Sequence, residues 1–204
     1  MQIRKRKGGR GLCLTGAIVL NKCVGDLKEV KSLYKILKYI DRRKTSIEKN
    51  GFGKWWLGNL VTKLGGNWEK YRCRGEITYY ELNNNILTIC QSTAWCEQEG
   101  VRNIIEEKFP SIKVYFQEEE SGCCVYSTND AGGEYFPERY YLDSGNDDSE
   151  YFTTIEEAAQ CVSEIVGKMV EPDKNVIETA LEEYMDEQED DDVWYSFHEF
   201  MVAE

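Results

Sequence analysis

The chain has 204 residues, 41% of them hydrophobic, with five Trp and a formal net charge of −12 from 25 Lys and Arg against 37 Asp and Glu. That length and apolar content suit one folded domain with an appendage, or two small ones, and argue against a disordered chain. No apolar run approaches the roughly 20 residues of a membrane span, so no membrane association is expected.

Residues 1–11 carry Arg4, Lys5, Arg6, Lys7 and Arg10 among glycines, the composition of a flexible basic arm able to meet phosphates. The apolar run that follows is too interrupted, by Thr15, Gly16 and Asn21-Lys22, for a signal peptide. Leu12 to Leu20 reads as a buried strand. Asp26 and Glu29 form a D-x-x-E box, which predicts a capped helix start. Val30, Leu33, Tyr34, Leu37 and Ile40 then recur on one helical face, with Lys28, Lys31, Lys35 and Lys38 on the other and Arg42-Arg43-Lys44 at the end. Asn50 to Gly53 is a loop. Trp56, Leu57, Leu60, Val61 and Leu64 make a second helical stripe, stopped by Gly65-Gly66, with Trp55 and Trp56 as core anchors.

Arg74–Leu82 and Ile86–Gln91 read as a hairpin around Asn83-Asn84-Asn85, since Asn tolerates left-handed backbone. A helix is expected over Glu97–Lys108, ended by Pro110, and a strand over Ile112–Gln117. Glu118 to Gly122 reads as a turn, and Cys123–Ser127 and Glu134–Leu142 as extended pieces. A polar linker, Asp143–Glu150, precedes a helix boxed by Thr154 and Glu157. Pro172 is placed in the first turn of a last helix through Tyr184. The division expected is thus an arm at 1–11, a domain at 12–142, a helical extension at 143–186 and an acidic, aromatic tail at 187–204.

Eight cysteines, at 13, 23, 73, 90, 96, 123, 124 and 161, form no C-x-x-C pair. A set this sparse reads as free thiols in a reducing cytoplasm. Charge is divided unevenly: residues 1–74 hold 19 Lys and Arg against 5 Asp and Glu, and residues 75–204 hold 6 against 32. Such asymmetry points either to a charged partner or to the two regions folding against each other.

From Gly75 to Tyr126 the order is a hairpin, then STAW before a helix closing on KFP, then a strand into EEESG. This stretch resembles the YubB-like ferredoxin-like domain family of plasmids and phages. The wider string GKWWLGNLVTKLGG, RG, TAWCE, FP, EEESG, ND and YFPERYYLD, within residues 12–142, is also similar to proteins of gut-bacterial mobile elements. The resemblance implies an α+β, ferredoxin-like antiparallel sheet with helices on one face, here with an added C-terminal helical extension. It implies no catalytic residues.

His198 is the single histidine, which excludes a His-based zinc cluster, and nucleotide-cradling and G-x-S-x-G patterns are lacking. Glu118, Glu119, Glu120, Asp130 and Glu134, with Asn129, are oxygen donors of the kind that hold Mg²⁺ or Ca²⁺, yet the acidic runs lack EF-hand order. No enzyme activity, cofactor or metal is therefore expected. Three readings stay open. One is a binding protein engaging a protein partner through an acidic surface at Glu118, Glu119, Glu120, Asp130, Glu134, Tyr135 and Tyr140. A second is an anti-defence inhibitor whose acidic part mimics nucleic acid before a basic nuclease or defence complex. The third is a nucleic-acid binder using Arg4, Lys5, Arg6, Lys7, Arg10, Lys31, Lys35 and Lys38.

Overall fold

A computed structural model describes residues 16–144, 149–188 and 193–203 of the chain. The basic arm, with Arg4, Lys5, Arg6, Lys7 and Arg10, lies outside the described residues, as do residues 12–15 of the first expected strand.

Strand β1 spans Ala17–Val24, and helix α1, Leu27–Arg42, follows it. The strand runs past the Asn21-Lys22 pair expected to end it, because both polar side chains find partners. Asn21 is buried and donates to the Ile89 carbonyl, and Lys22 donates to the Tyr135 carbonyl. The D-x-x-E box does not form. Asp26 makes no side-chain cap, and Glu29 instead accepts from the backbone and hydroxyl of Ser111 at 2.9 and 2.7 Å, tying α1 to a loop 82 residues on. Val30, Leu33, Leu37 and Ile40 face the core as their spacing requires.

Helix α2, Leu57–Leu64, ends on Gly65 at φ 94°, a left-handed cap that glycine adopts without steric cost. The loop before it is ordered by one buried amide. Asn59 Oδ1 accepts from the backbone of Ile47 and Glu48 and the hydroxyl of Ser46, while Nδ2 donates to Gly53 and Lys54 carbonyls. Trp56 is a core anchor, its indole donating to the Cys73 carbonyl at 2.6 Å.

β2, Gly75–Asn83, and β3, Ile86–Thr93, form the expected hairpin, with Asn83 opposite Ile86 and Asn84 left-handed at φ 54°. Helix α3, Glu99–Lys108, leads to β4, Lys113–Glu120, and β5, Val125–Thr128. The sheet order begins β2-β3-β1-β4, antiparallel throughout, with α1 to α3 packed on one face over Ile77, Leu87, Ile89 and Val114. This βαββαβ order is the ferredoxin-like α+β arrangement.

The C-terminal part is more than helices. β6, Tyr140–Asp143, and β7, Glu150–Phe152, arise at the two ends of the expected linker, and α4, Ile155–Val166, follows with its Thr154–Glu157 capping box intact. In α5, Lys174–Asp186, the cap is Asp173, so Pro172 sits one residue before the cap and not in the first turn. The expected tail supplies β8, Ser196–Glu199, and β9, Met201–Val202. β8 pairs with β6 in a second sheet ordered β7-β6-β8, whereas β9 joins the first sheet beside β5. Buried Phe197 and Phe200 explain why this acidic-looking end folds back. No helix among the described residues is long and apolar enough to cross a membrane.

Candidate binding surface

Residues 118–120 continue β4, so they are not the expected turn. Alternation along the strand sends Glu118 and Glu120 to one face and Glu119 to the other. Glu118, 6% exposed, accepts the backbone N–H of Glu97 and the Ser127 hydroxyl, anchoring the start of α3. Glu120, 3% exposed, accepts from the Cys123 backbone at 2.5 Å. Glu119 accepts the Tyr151 hydroxyl at 3.0 Å, and burial raises its pKa. Asp130, 2% exposed, accepts backbone N–H groups of Tyr135 and Phe136 at 2.7 and 2.8 Å. Burial pushes its pKa up, but those backbone donors and Arg139 outweigh it and hold the pKa low.

Of the acidic candidates, Glu134 alone is exposed. Tyr135 packs on Tyr115 at 4.5 Å, and Tyr140 stacks on Phe197 in the second sheet. The fold therefore does not gather Glu118, Glu119, Glu120, Asp130, Glu134, Tyr135 and Tyr140 into one patch. Most of these carboxylates hold the backbone together. Among the described residues no group of three or more His, Cys, Asp or Glu side chains is placed to hold a metal ion. Asn129 also turns inward, accepting from the Phe116 backbone and donating to the Val114 carbonyl.

A cleft of about 810 Å³ lies beside α3, lined by Cys96, Glu97, Arg102, Glu118 and Ser127. Burial, offset in part by Arg102 at 3.2 Å, pushes the Glu97 carboxyl up to about 7. Burial and Glu118 also raise the Cys96 pKa, which works against a reactive thiolate. Glu97 is held by Arg102, and Glu118 by Ser127 and the start of α3, so both carboxylates have structural work.

The basic candidates are gathered, by contrast. Lys31, Lys35 and Lys38 lie at i, i+4 and i+7 of α1, and Arg42 extends the series to i+11, so all four share one stripe of the helix. They line a shallow groove of about 470 Å³ with Tyr34, Tyr39 and Leu82. Lys31, Lys35 and Arg42 are exposed and Lys38 half-buried over the Tyr34 ring. The ion pairs of the described residues use Lys54, Arg102, Lys113 and Lys168, so none of these four cations has a carboxylate partner there. Arg43 and Lys63 add charge at the far end by packing on Tyr39. Arg42 is explained in the sequence by its place in the last turn, but the same 3.6-residue period that joins Lys31 to Lys38 reaches it.

Leu82 also lines the groove from β2, an edge strand of its sheet. Tyr80 packs on Tyr34 at 5.8 Å and on Trp55 at 5.6 Å, and donates its hydroxyl to Asp41 at 3.2 Å. The acidic surface lies elsewhere. Residues 149–188 hold eleven Asp and Glu against two Lys, with Glu156, Glu157, Glu164, Glu182, Glu183 and Asp186 exposed on α4 and α5. α1 packs over β2 and β3, while the C-terminal unit adjoins β5 at the other side of the sheet. The α1 cations and the α4 and α5 carboxylates thus lie on different sides of the sheet.

No protein-family model, curated protein or solved structure matches the chain.

Proposed function

We propose that the protein is a non-enzymatic binding protein that holds an anionic macromolecule along the α1 stripe. The observation that supports this most is the row of Lys31, Lys35, Lys38 and Arg42, unneutralised in a molecule whose net charge is −12. Exposed cations separated along one line create a potential that ordinary surface pairs would cancel, and that potential captures anions and speeds their arrival. A test is fluorescence anisotropy with a labelled oligothymidylate and a labelled polyglutamate across a salt series. Binding of at least one that weakens steeply with salt, and is lost in a Lys35→Glu/Lys38→Glu protein, supports the reading. Binding of both with no change in that protein contradicts it.

A second reading rests on the acidic face of α4 and α5, where Lys168–Glu183 at 2.6 Å is an exposed ion pair among other exposed carboxylates. That face would engage a basic protein, a nuclease or defence complex among the candidates. Co-purification from a bacterial host, with release by high salt, tests it. Recovery of the same proteins by a Glu182→Lys/Asp186→Lys variant counts against it. As part of the same proposal, the likeness of residues 75–126 to the YubB-like domain supports carriage of the chain on a mobile element.

A further inference from the structure

We infer that the anionic partner of α1 is an extended acidic peptide that adds to β2 as a further strand of the sheet, an inference that rests on the proposed anion-binding role of the stripe. β2 bonds to β3 on its inner side. Among the described residues its outer side is occupied only at the start, where Trp56 bridges Glu76 and Ile77 donates to the Trp55 carbonyl at 2.9 Å. From Thr78 to Asn83 no strand among the described residues lies outside it. A strand edge of this kind presents a row of backbone donors and acceptors that pairs readily with another chain.

The free edge and the basic stripe match in length. Thr78 to Asn83, which begins at the register shift of β2 against β3, is at most five steps of about 3.4 Å, roughly 17 Å. Lys31 to Arg42 is eleven steps of about 1.5 Å, again roughly 17 Å. Leu82 from the strand and the four cations from the helix line the same groove, and Tyr80 fixes one against the other through Tyr34. On an added strand every second side chain points to the α1 side, at a repeat of about 7 Å. Successive cations stand about 4.5–6 Å apart along the helix axis. An acidic residue at alternate positions therefore meets the stripe with each side chain. Asp41, the carboxylate next to Arg42 in the chain, is already engaged by Lys54 and the Tyr80 hydroxyl.

A nucleic acid would use the cations but not the strand edge, because its backbone has no N–H groups to alternate with carbonyls. The test uses the full chain and three fluorescein-labelled peptides of alternating Glu and Thr. One has a natural backbone, and two are N-methylated at every second residue in opposite phase. A labelled oligothymidylate of equal charge is the comparison. The inference predicts that the natural peptide binds and that one N-methylated phase weakens binding about tenfold or more, while the other does not. It also predicts that Lys35→Glu/Lys38→Glu weakens the natural peptide by a similar factor. Equal binding of all three peptides overturns strand addition. Binding of the oligothymidylate alone overturns the inference and leaves the proposed function standing. Binding of no anionic probe overturns both.

Discussion

Tyr34 on α1 and Tyr80 on β2 meet with ring centroids 5.8 Å apart and planes inclined at 59°. That contact holds a cationic helix against the open edge of a sheet, and the proposed binding surface depends on the two elements staying in that relation. Tilted aromatic pairs contribute about 0.5–1.5 kcal/mol beyond the area they bury. Tyr80→Leu also removes the bond to Asp41, and is expected to lower stability by about 1–2 kcal/mol. Urea denaturation measures this, and an unchanged midpoint contradicts it.

Glu118 is expected to matter for folding and not for anion binding. Its carboxylate satisfies the Glu97 N–H before α3 and the Ser127 hydroxyl. Glu118→Ala leaves both buried groups without that acceptor, at a cost of about 2 kcal/mol. The melting temperature should fall while affinity for an anionic probe, measured below the transition, stays unchanged.

Asn59 predicts a larger effect. It is wholly buried and its amide serves five residues of the 46–54 loop. Asn59→Leu strands those backbone groups and is expected to cost about 3 kcal/mol or more. Denaturant titration would contradict this by showing a loss below about 1 kcal/mol.

Stability should depend on pH through Glu97. Its carboxyl rises from 4.5 to about 7, first because it is buried. A folded state that holds the proton more tightly gains stability that is fully present below the unfolded value near 4.5 and is lost as pH rises through about 7. Glu119, also raised by burial, acts in the same direction. Glu97→Gln should flatten this slope, so that wild type loses stability relative to the variant between about pH 4.5 and 8. Parallel stability curves for the two proteins over that window would contradict the assignment.

Thiol labelling should separate the cysteines by burial. Burial pushes Cys23 up to about 12 and Cys73 up to about 11, whereas Cys123 and Cys124 are exposed in one turn. Maleimide followed by mass spectrometry should modify Cys123 and Cys124 in the native protein, and Cys23 and Cys73 only after unfolding. Fast native labelling of Cys23 would place β1 wrongly.

The core order was legible because it is written in short-range chemistry. The Asn turn, the Gly65 cap, Pro110 and the apolar periods of α1, α2 and α4 each force a local choice. What was not legible came from contacts distant in sequence. Spacing pairs Glu29 with Asp26 as a cap, yet Glu29 is bound 82 residues away to Ser111. Glu118 and Glu120 resemble a solvated acidic turn until Glu97, Ser127 and Cys123 are brought to them. Phe197 and Phe200 carry the signal that residues 196–202 fold back, but the acid run before them conceals it. Lys31, Lys35 and Lys38 were legible as a face; that β2 leaves an open edge beside them depends on strand order.

Amide chemical-shift mapping would show whether anions bind along α1. Isotope-labelled protein would be titrated with the alternating Glu-Thr peptide and with oligothymidylate. Shifts should concentrate on residues 28–43, and with the peptide also on residues 78–83, and added salt should reverse them. Shifts concentrated around Glu97 and Arg102, or on α4 and α5, with none along α1, would contradict binding there.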